Sequence, residues 1–278
     1  MQQIFQFNFV IEEGEEREIL IARLESLGFE GFEERGKDIL GYIKMAEDAL
    51  IALENKLNEI AKIYSVSIVE DKNWNEIWES GFEPVTINDL EGKPFVHLRA
   101  EFHAVNGKAP IELVITPRMS FGTGHHATTS LMISSMRELD FAGKKVLDFG
   151  TGTGVLAILA EKLGATSVLA IDNDEWSIKN AAENIRENDC REETIILELA
   201  AIISENEKFD IILANINLNI ILENLDRMFL SLLPGGTILL SGLLEQDESI
   251  ILNQIPNRFH SKIVVRKLNG WLVIRADV

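Results

Sequence analysis

Lys144-Lys145-Val146-Leu147-Asp148-Phe149-Gly150-Thr151-Gly152-Thr153-Gly154 is the stretch whose reading decides the fold. A short apolar run ends in an acid, three glycines alternate with threonines, and Val155-Leu156-Ala157-Ile158-Leu159-Ala160 follows at once. The pattern predicts a buried strand, a tight glycine turn and a helix that starts immediately. Glycine tolerates positive φ and, lacking a Cβ, lets backbone approach a ligand closely. The first N–H groups of the helix face the same spot. The stretch is therefore suited to holding a polar ligand against a strand end.

Two ligand classes fit it. Gly152, Gly154 and Ala157 satisfy the dinucleotide pattern G-x-G-x-x-G/A loosely. Asp148 to Gly154 also reads D-x-G-x-G-x-G, the pattern of S-adenosylmethionine-dependent methyltransferases, in which there is no pyrophosphate to cradle. Asp172 ends the next apolar run, Ser167-Val168-Leu169-Ala170-Ile171. A carboxylate there can accept two hydrogen bonds from a ribose diol, and either cofactor would use it. On the loop and the acid alone, both remain open.

Strands and helices continue to alternate after Asp172, which predicts a parallel sheet wound on both faces, an α/β Rossmann-like fold. Asp174 is placed to cap a helix over 175–187, and strands are expected at 194–199 and 209–214. The second of these runs into Asn215-Ile216-Asn217, and a polar side chain at the carboxyl end of a parallel strand points into the binding crevice. A helix over 220–233 should stop at Pro234-Gly235-Gly236, followed by a strand over 237–241 and a helix near 246–255. Strands at 262–267 and 271–276, joined by Asn269-Gly270, predict a closing antiparallel hairpin.

Upstream, residues 3–11 alternate polar and apolar, 15–27 carry a helical face, and 29–35 and 39–44 read as strands about a turn. A helix over 46–61 and a strand over 63–70 complete β-α-β-β-α-β, a ferredoxin-like unit over residues 1–70. RNA-binding modules share that fold, and in one of them Phe5, Phe7 and Phe9 would be the stacking rings. Leu40-Gly41-Tyr42-Ile43 lacks the matching third-strand motif, and residues 1–70 hold 15 acids against 7 bases, so packing against the helices is favoured. Residues 71–84, with Trp74 and Trp78 one helical turn apart, read as a linker anchored by its indoles. The rest, 85–278, forms the cofactor-binding domain. It opens with two strands over 95–102 and 110–116 whose turn is marked by Asn106-Gly107.

The whole chain carries 45 acids and 26 bases, a formal charge of −19, with 46% apolar and 26% charged residues. Such a field favours basic partners and argues against a nucleic-acid substrate. Cys190 is the one cysteine, so neither an internal disulfide nor a cysteine-based zinc site is expected. No apolar run approaches the ~18 residues of a membrane span. Met1-Gln2-Gln3-Ile4-Phe5 lacks the features of a signal peptide, so a cytoplasmic protein is expected. The paired His125-His126 lack acidic partners nearby in sequence, so a hydrogen-bonding role is expected there and no metal.

Phe121-Gly122-Thr123-Gly124-x-His126-x-Thr128-Thr129, then Asp148 to Gly154, Asp172 and Ala214-Asn215-Ile216, resembles the bacterial ribosomal protein L-eleven methyltransferases. The acidic head and the Trp74/Trp78 linker are similar too, so the resemblance spans essentially the whole chain. It implies a class I methyltransferase sheet using S-adenosyl-L-methionine, with a small N-terminal domain that recognises the ribosomal protein. Methylation of that protein's lysine side chains and N-terminal α-amine is implied, and a monomer is expected. The cofactor contacts implied are Thr129, Gly150, Asp172 and Asn215. The glycine motif adds Asp148, Gly152 and Gly154, and the preceding loop adds Phe121, Gly122 and Thr123. Asn215 is also the candidate for orienting the acceptor amine. His125-His126-Ala127 departs from the family's Thr-His-Pro, and Asn217-Leu218-Asn219 from its usual small apolar residues. The other readings carried forward are a nicotinamide-dependent dehydrogenase, a methyltransferase acting on RNA or another protein, and a non-catalytic adaptor.

Overall fold

The computed structural model describes residues 2–10, 17–35, 38–46, 49–57, 64–69, 82–105, 107–116, 122–191, 193–204, 206–255 and 263–278. Contacts divide the chain into two compact units, Met1–Ile77 and Trp78–Val278. Trp74, Trp78 and Phe121, expected to anchor the linker and to line the cofactor loop, lie outside the described residues.

In the first unit, β1 (Gln2–Val10), α1 (Arg17–Glu25), β2 (Gly31–Arg35), β3 (Asp38–Ala46), α2 (Leu50–Leu57) and β4 (Tyr64–Val69) follow the expected order. They build an antiparallel sheet in the order β2-β3-β1-β4, the ferredoxin-like arrangement. Alternation along β1 puts Phe5, Phe7 and Phe9 on one face, where none is more than 2% exposed. They pack there with Leu20 and Leu24 of α1 and Leu53 and Leu57 of α2. Rings held inside a core cannot stack on bases, so β1 supplies packing and no RNA platform.

The second unit carries β8 (Lys145–Phe149), β9 (Ser167–Asp172), β10 (Ile195–Leu199), β11 (Phe209–Asn215), β12 (Leu232–Leu244), β13 (Ile263–Leu268) and β14 (Trp271–Asp277). Their order in one sheet is β10-β9-β8-β11-β12-β14-β13, parallel except for β14, which runs antiparallel to both neighbours. The chain builds outward from β8 through β9 to β10, then returns to add β11 on the other side. That reversal opens a crevice at the carboxyl ends of β8 and β11. Around the sheet lie α3 (Ala127–Met136), α4 (Val155–Lys162), α5 (Glu175–Glu187), α6 (Leu218–Leu230) and α7 (Glu248–Gln254). Asn269 (φ 50) and Gly270 (φ 79) make the left-handed turn that joins β13 to β14, as expected. Among the described residues no helix is long and apolar enough to cross a membrane.

Two expectations fail. Helix α6 ends at Leu230 and β12 already starts at Leu232, so the expected helix end at 233 and strand start at 237 are both too late. Phe209 pairs with Leu232 before a register shift near Pro234-Gly235-Gly236 resumes the ladder at Thr237. The second failure is the expected hairpin. β6 (Pro94–Arg99) and β7 (Ile111–Val114) lie parallel, so residues 100–110 form a crossover instead of a tight turn. The hairpin partner of β6 is β5 (Val85–Asn88), a strand without a sequence signal of its own.

The outer edge of β7 is closed by asparagine side chains. Asn188 accepts from the Val114 N–H (2.8 Å) and donates to the Val114 carbonyl (2.6 Å). Asn184, fully buried, accepts from the Thr116 N–H (2.8 Å) and donates to the carbonyl of Thr153 (2.8 Å). Asn180, Asn184 and Asn188 stand four apart along α5 and its C-cap, which sets them on one face. Removing the Asn184 amide strands the part-buried Thr116 N–H and the buried Thr153 carbonyl, and an unsatisfied buried group costs about 1–3 kcal/mol. Asn184→Ala is expected to lower stability in urea denaturation by roughly 2–4 kcal/mol, well beyond the effect of an average surface substitution.

Candidate functional site

The site begins where β8 ends. Gly150 (φ 75), Gly152 (φ 54) and Gly154 (φ 80) all take left-handed backbone, which accounts for three glycines in one turn. The N–H groups of Gly150 and Thr151 donate to the Ile171 carbonyl (2.9 and 3.0 Å), and that of Gly152 donates to Asp172 Oδ2 (2.9 Å). A Cβ on Gly150 would run into the Ile216 side chain, so the β8 loop lies directly against the loop after β11. Gly154 is the N-cap of α4, and its bare Cα lets α5 approach at Ala181.

Asp148 lies fully buried beneath this loop. Its Oδ2 accepts from the Thr151 hydroxyl (2.6 Å) and from the Ala157 N–H (3.1 Å) in the first turn of α4. Burial raises its pKa from 3.8 to about 7, the two hydrogen bonds oppose that, and the neighbouring charge of Asp172 adds to it. The chain thus supplies its own acid to the start of α4. A dinucleotide's pyrophosphate would compete for the Ala157 N–H and would approach the carboxylate of Asp172. A ligand without phosphate does neither.

Asn215 ends β11 opposite Ser241 of β12 and is 8% exposed. Among the described residues its Oδ1 has no hydrogen-bond partner, and neither has Oγ1 of the fully buried Thr129 or Oδ1 of Asp148. Buried oxygens left unsatisfied, as at Asn215 on the strand end and Thr129 in the first turn of α3, are costly unless a ligand completes them. That is the test an adenosylmethionine-like group passes here, together with the glycine loop and the half-buried Asp172, whose Oδ1 also accepts from the Asp174 N–H (3.0 Å). Gly122 and Thr123 lead into α3, which carries Thr129 and lies across β12 and β14.

His126 is the N-cap of α3, its Nδ1 accepting from the Thr128 N–H (3.3 Å), and its ring meets Trp271 edge-on at 4.6 Å between centroids. Burial pulls its pKa from 6.5 down to about 4. A group that weakly basic does not take a proton from an amine whose own pKa is near ~10.4, so capping is its role. Ala127 occupies the first helical position, where a proline would also fit, so alanine in place of the family's proline keeps the start of α3. Asn217 caps α6 by accepting from the Ile220 N–H (3.1 Å), which gives that residue a local role.

The sequence reading missed Gly242, on which a Cβ would collide with the backbone of Ile216. Its signal was available, since a glycine inside a strand pattern often marks a close backbone approach. Ile216 is therefore gripped between Gly150 and Gly242. Trp271, Thr153 and Asn184 also escaped notice, because nothing local in their sequence marks them.

Asp148 makes a pH prediction. Its folded-state pKa lies above the unfolded value, so its contribution is fully present below about 3.8 and is lost as pH rises through about 7. Asp148→Asn cannot titrate. Its stability relative to the unaltered protein should climb between pH 4 and pH 8 by up to ~4 kcal/mol, read from urea denaturation across that range. His126 titrates in both proteins and drops out of the difference.

The model of the family described as Ribosomal protein L11 methyltransferase (PrmA) matches residues 10–277. A protein of Porphyromonas gingivalis named ribosomal protein L11 methyltransferase is 40% identical over 264 residues, covering 93% of this chain and 89% of that one. A protein of the same name from Chlorobaculum tepidum is also 40% identical, covering 92% and 90%. Among solved structures, the ribosomal protein L11 methylase of Lactobacillus delbrueckii subsp. bulgaricus superposes with a TM-score of 0.57 at 28% identity, over 65% of this chain and 93% of that one. A Thermus thermophilus 16S rRNA methyltransferase, solved with AdoMet and guanosine, shares the fold at a TM-score of 0.51 and 15% identity, over 88% of this chain and 56% of that one. With its glycine loop, strand-end amide and matched length, the chain belongs to the ribosomal protein L11 methyltransferase family.

Proposed function

We propose that this protein methylates ribosomal protein L11 with S-adenosyl-L-methionine, on lysine side chains and the N-terminal α-amine. The observation that carries the reading is Asn215 Oδ1, buried and without a hydrogen-bond partner among the described residues, next to a glycine loop in which the N–H groups of Gly150, Thr151, Gly152 and Gly154 are already bonded. Thr129 Oγ1 is likewise unpartnered among the described residues. When bound, the cofactor supplies an electrophilic methyl group on a positively charged sulfur. Gly150, Gly152 and Gly154 give it backbone to lie against, Asp148 shapes their loop, and Asp172 accepts from the ribose hydroxyls. Gly122, Thr123 and Thr129 close the same side, and Phe121 belongs with them by sequence.

The acceptor must react as a neutral amine, and water removes its proton before the transfer. Asn215 accepts an N–H from that amine and aims its lone pair, which is positioning and no proton transfer. The acidic head, residues 1–70, with the linker over 71–84, holds the basic substrate while residues 85–278 perform the chemistry. Its charge supports attraction of a basic protein that weakens with salt. The protein works as a cytoplasmic monomer without direct nucleic-acid contact. A dehydrogenase reading would leave Asn215 and the spent loop amides without a purpose.

The test is transfer of labelled methyl groups to separated ribosomal proteins and RNA. Label is expected in L11 alone, and label in RNA would overturn the reading. Two variants separate binding from turnover. Asp172→Ala should weaken S-adenosylhomocysteine by about 10- to 100-fold in calorimetric titration, since it removes hydrogen bonds to a charged group and the anchor of Gly152. Asn215→Ala should lower kcat by a larger factor than it lowers cofactor affinity, as expected where alignment in the transition state is lost.

A further inference from the structure

Thr153 stands between the last two glycines of the loop, and its side chain is fully buried. Its Oγ1 donates to the carbonyl of Gly122 at 3.0 Å. Its own carbonyl accepts from Asn184 Nδ2 at 2.8 Å, while Asn184 Oδ1 takes the Thr116 N–H at 2.8 Å. A single residue of the loop is thus tied to Gly122 directly and to Thr116 through one amide. The fit at Gly122 (φ 109) is close: a Cβ there would lie 2.6 Å from Thr153 Oγ1 and 3.4 Å from Val155 Cγ1. Downstream, Gly124 packs against Leu98, and Ser130 reaches back toward its carbonyl at 3.5 Å. The turn from Gly122 to His126 is therefore fixed at both ends, and α3 with Thr129 starts from it.

We propose that Thr153 is a positioning residue: its hydroxyl fixes the Gly122–His126 turn on the glycine loop, and so sets where Thr129 meets the cofactor. The inference rests on the reading of the crevice as an adenosylmethionine site. Threonine suits the task because its methyl fills the buried space while its hydroxyl supplies the donor. Valine keeps the shape and loses the donor, leaving the Gly122 carbonyl without that bond. Serine keeps the donor and loses only a methyl.

Calorimetric titration of S-adenosylhomocysteine into the full chain, with urea denaturation of the same preparations, tests the assignment. Thr153→Val should weaken binding by about tenfold, and Thr153→Ser should stay within about twofold of the unaltered protein. A valine variant that is less stable but binds normally would show a purely structural bond and overturn the proposal. So would a serine variant that binds as weakly as the valine one. Gly122→Ala leaves Thr153 in place and disturbs the same contact from the other side, so it carries the test if valine prevents folding. Normal affinity in that variant also overturns the assignment. When both variants fold, their losses should be non-additive in a double-mutant cycle, and additive losses count against coupling. Failure of the unaltered protein to bind S-adenosylhomocysteine would overturn the cofactor reading, and this inference with it.

Discussion

Beneath the glycine loop, the Asp148 carboxylate takes the Thr151 hydroxyl and the Ala157 amide, and the loop must close around that buried group. Moving a carboxylate out of water is expensive unless hydrogen bonds and a favourable field receive it. The Thr151 hydroxyl and the Ala157 amide in the first turn of α4 offset part of that cost, and burial still raises the pKa to about 7. One acid therefore fixes the end of β8, the start of α4 and the left-handed backbone between them. The position of the loop against its neighbours follows from that anchor.

Those neighbours meet at Ile216, which the loop after β8 and the end of β12 approach from opposite sides through Gly150 and Gly242. Backbone that close leaves little freedom to Asn215, the residue before it. The amide is held at the switch point of the sheet by packing on both sides, while its own oxygen stays unclaimed. Rigid surroundings and an unsatisfied polar atom together describe a group prepared for a ligand.

What could be read from the sequence was local. Asp148 to Gly154, Asp172 and Asn215 announce themselves because strand, turn and acid sit next to one another in the chain. The alternation of Phe5, Phe7 and Phe9 gave the inward face of β1 for the same reason. Strand direction is not local. The run from Arg99 to Ile111 contains a turn signal, yet β6 and β7 lie parallel, since pairing is decided by what else covers the sheet. The early start of β12 is a second case, where pairing with Phe209 overrode the breaker at Pro234-Gly235-Gly236. Thr153 and Asn184 were invisible on other grounds: their partners lie 31 to 68 residues away, and a buried threonine or asparagine looks in sequence like an ordinary one.

The asparagines of α5 have a meaning beyond holding β7 in place. An edge strand exposes a row of amides and carbonyls that can recruit a strand from another molecule. Here Asn188 answers both polar groups of Val114, and Asn184 answers the amide of Thr116. A helix has taken over the bonding pattern of a missing strand, so that stretch of edge offers nothing for a second chain to pair with. The small three-stranded sheet is thereby guarded against self-association along that border by side chains of a neighbouring element.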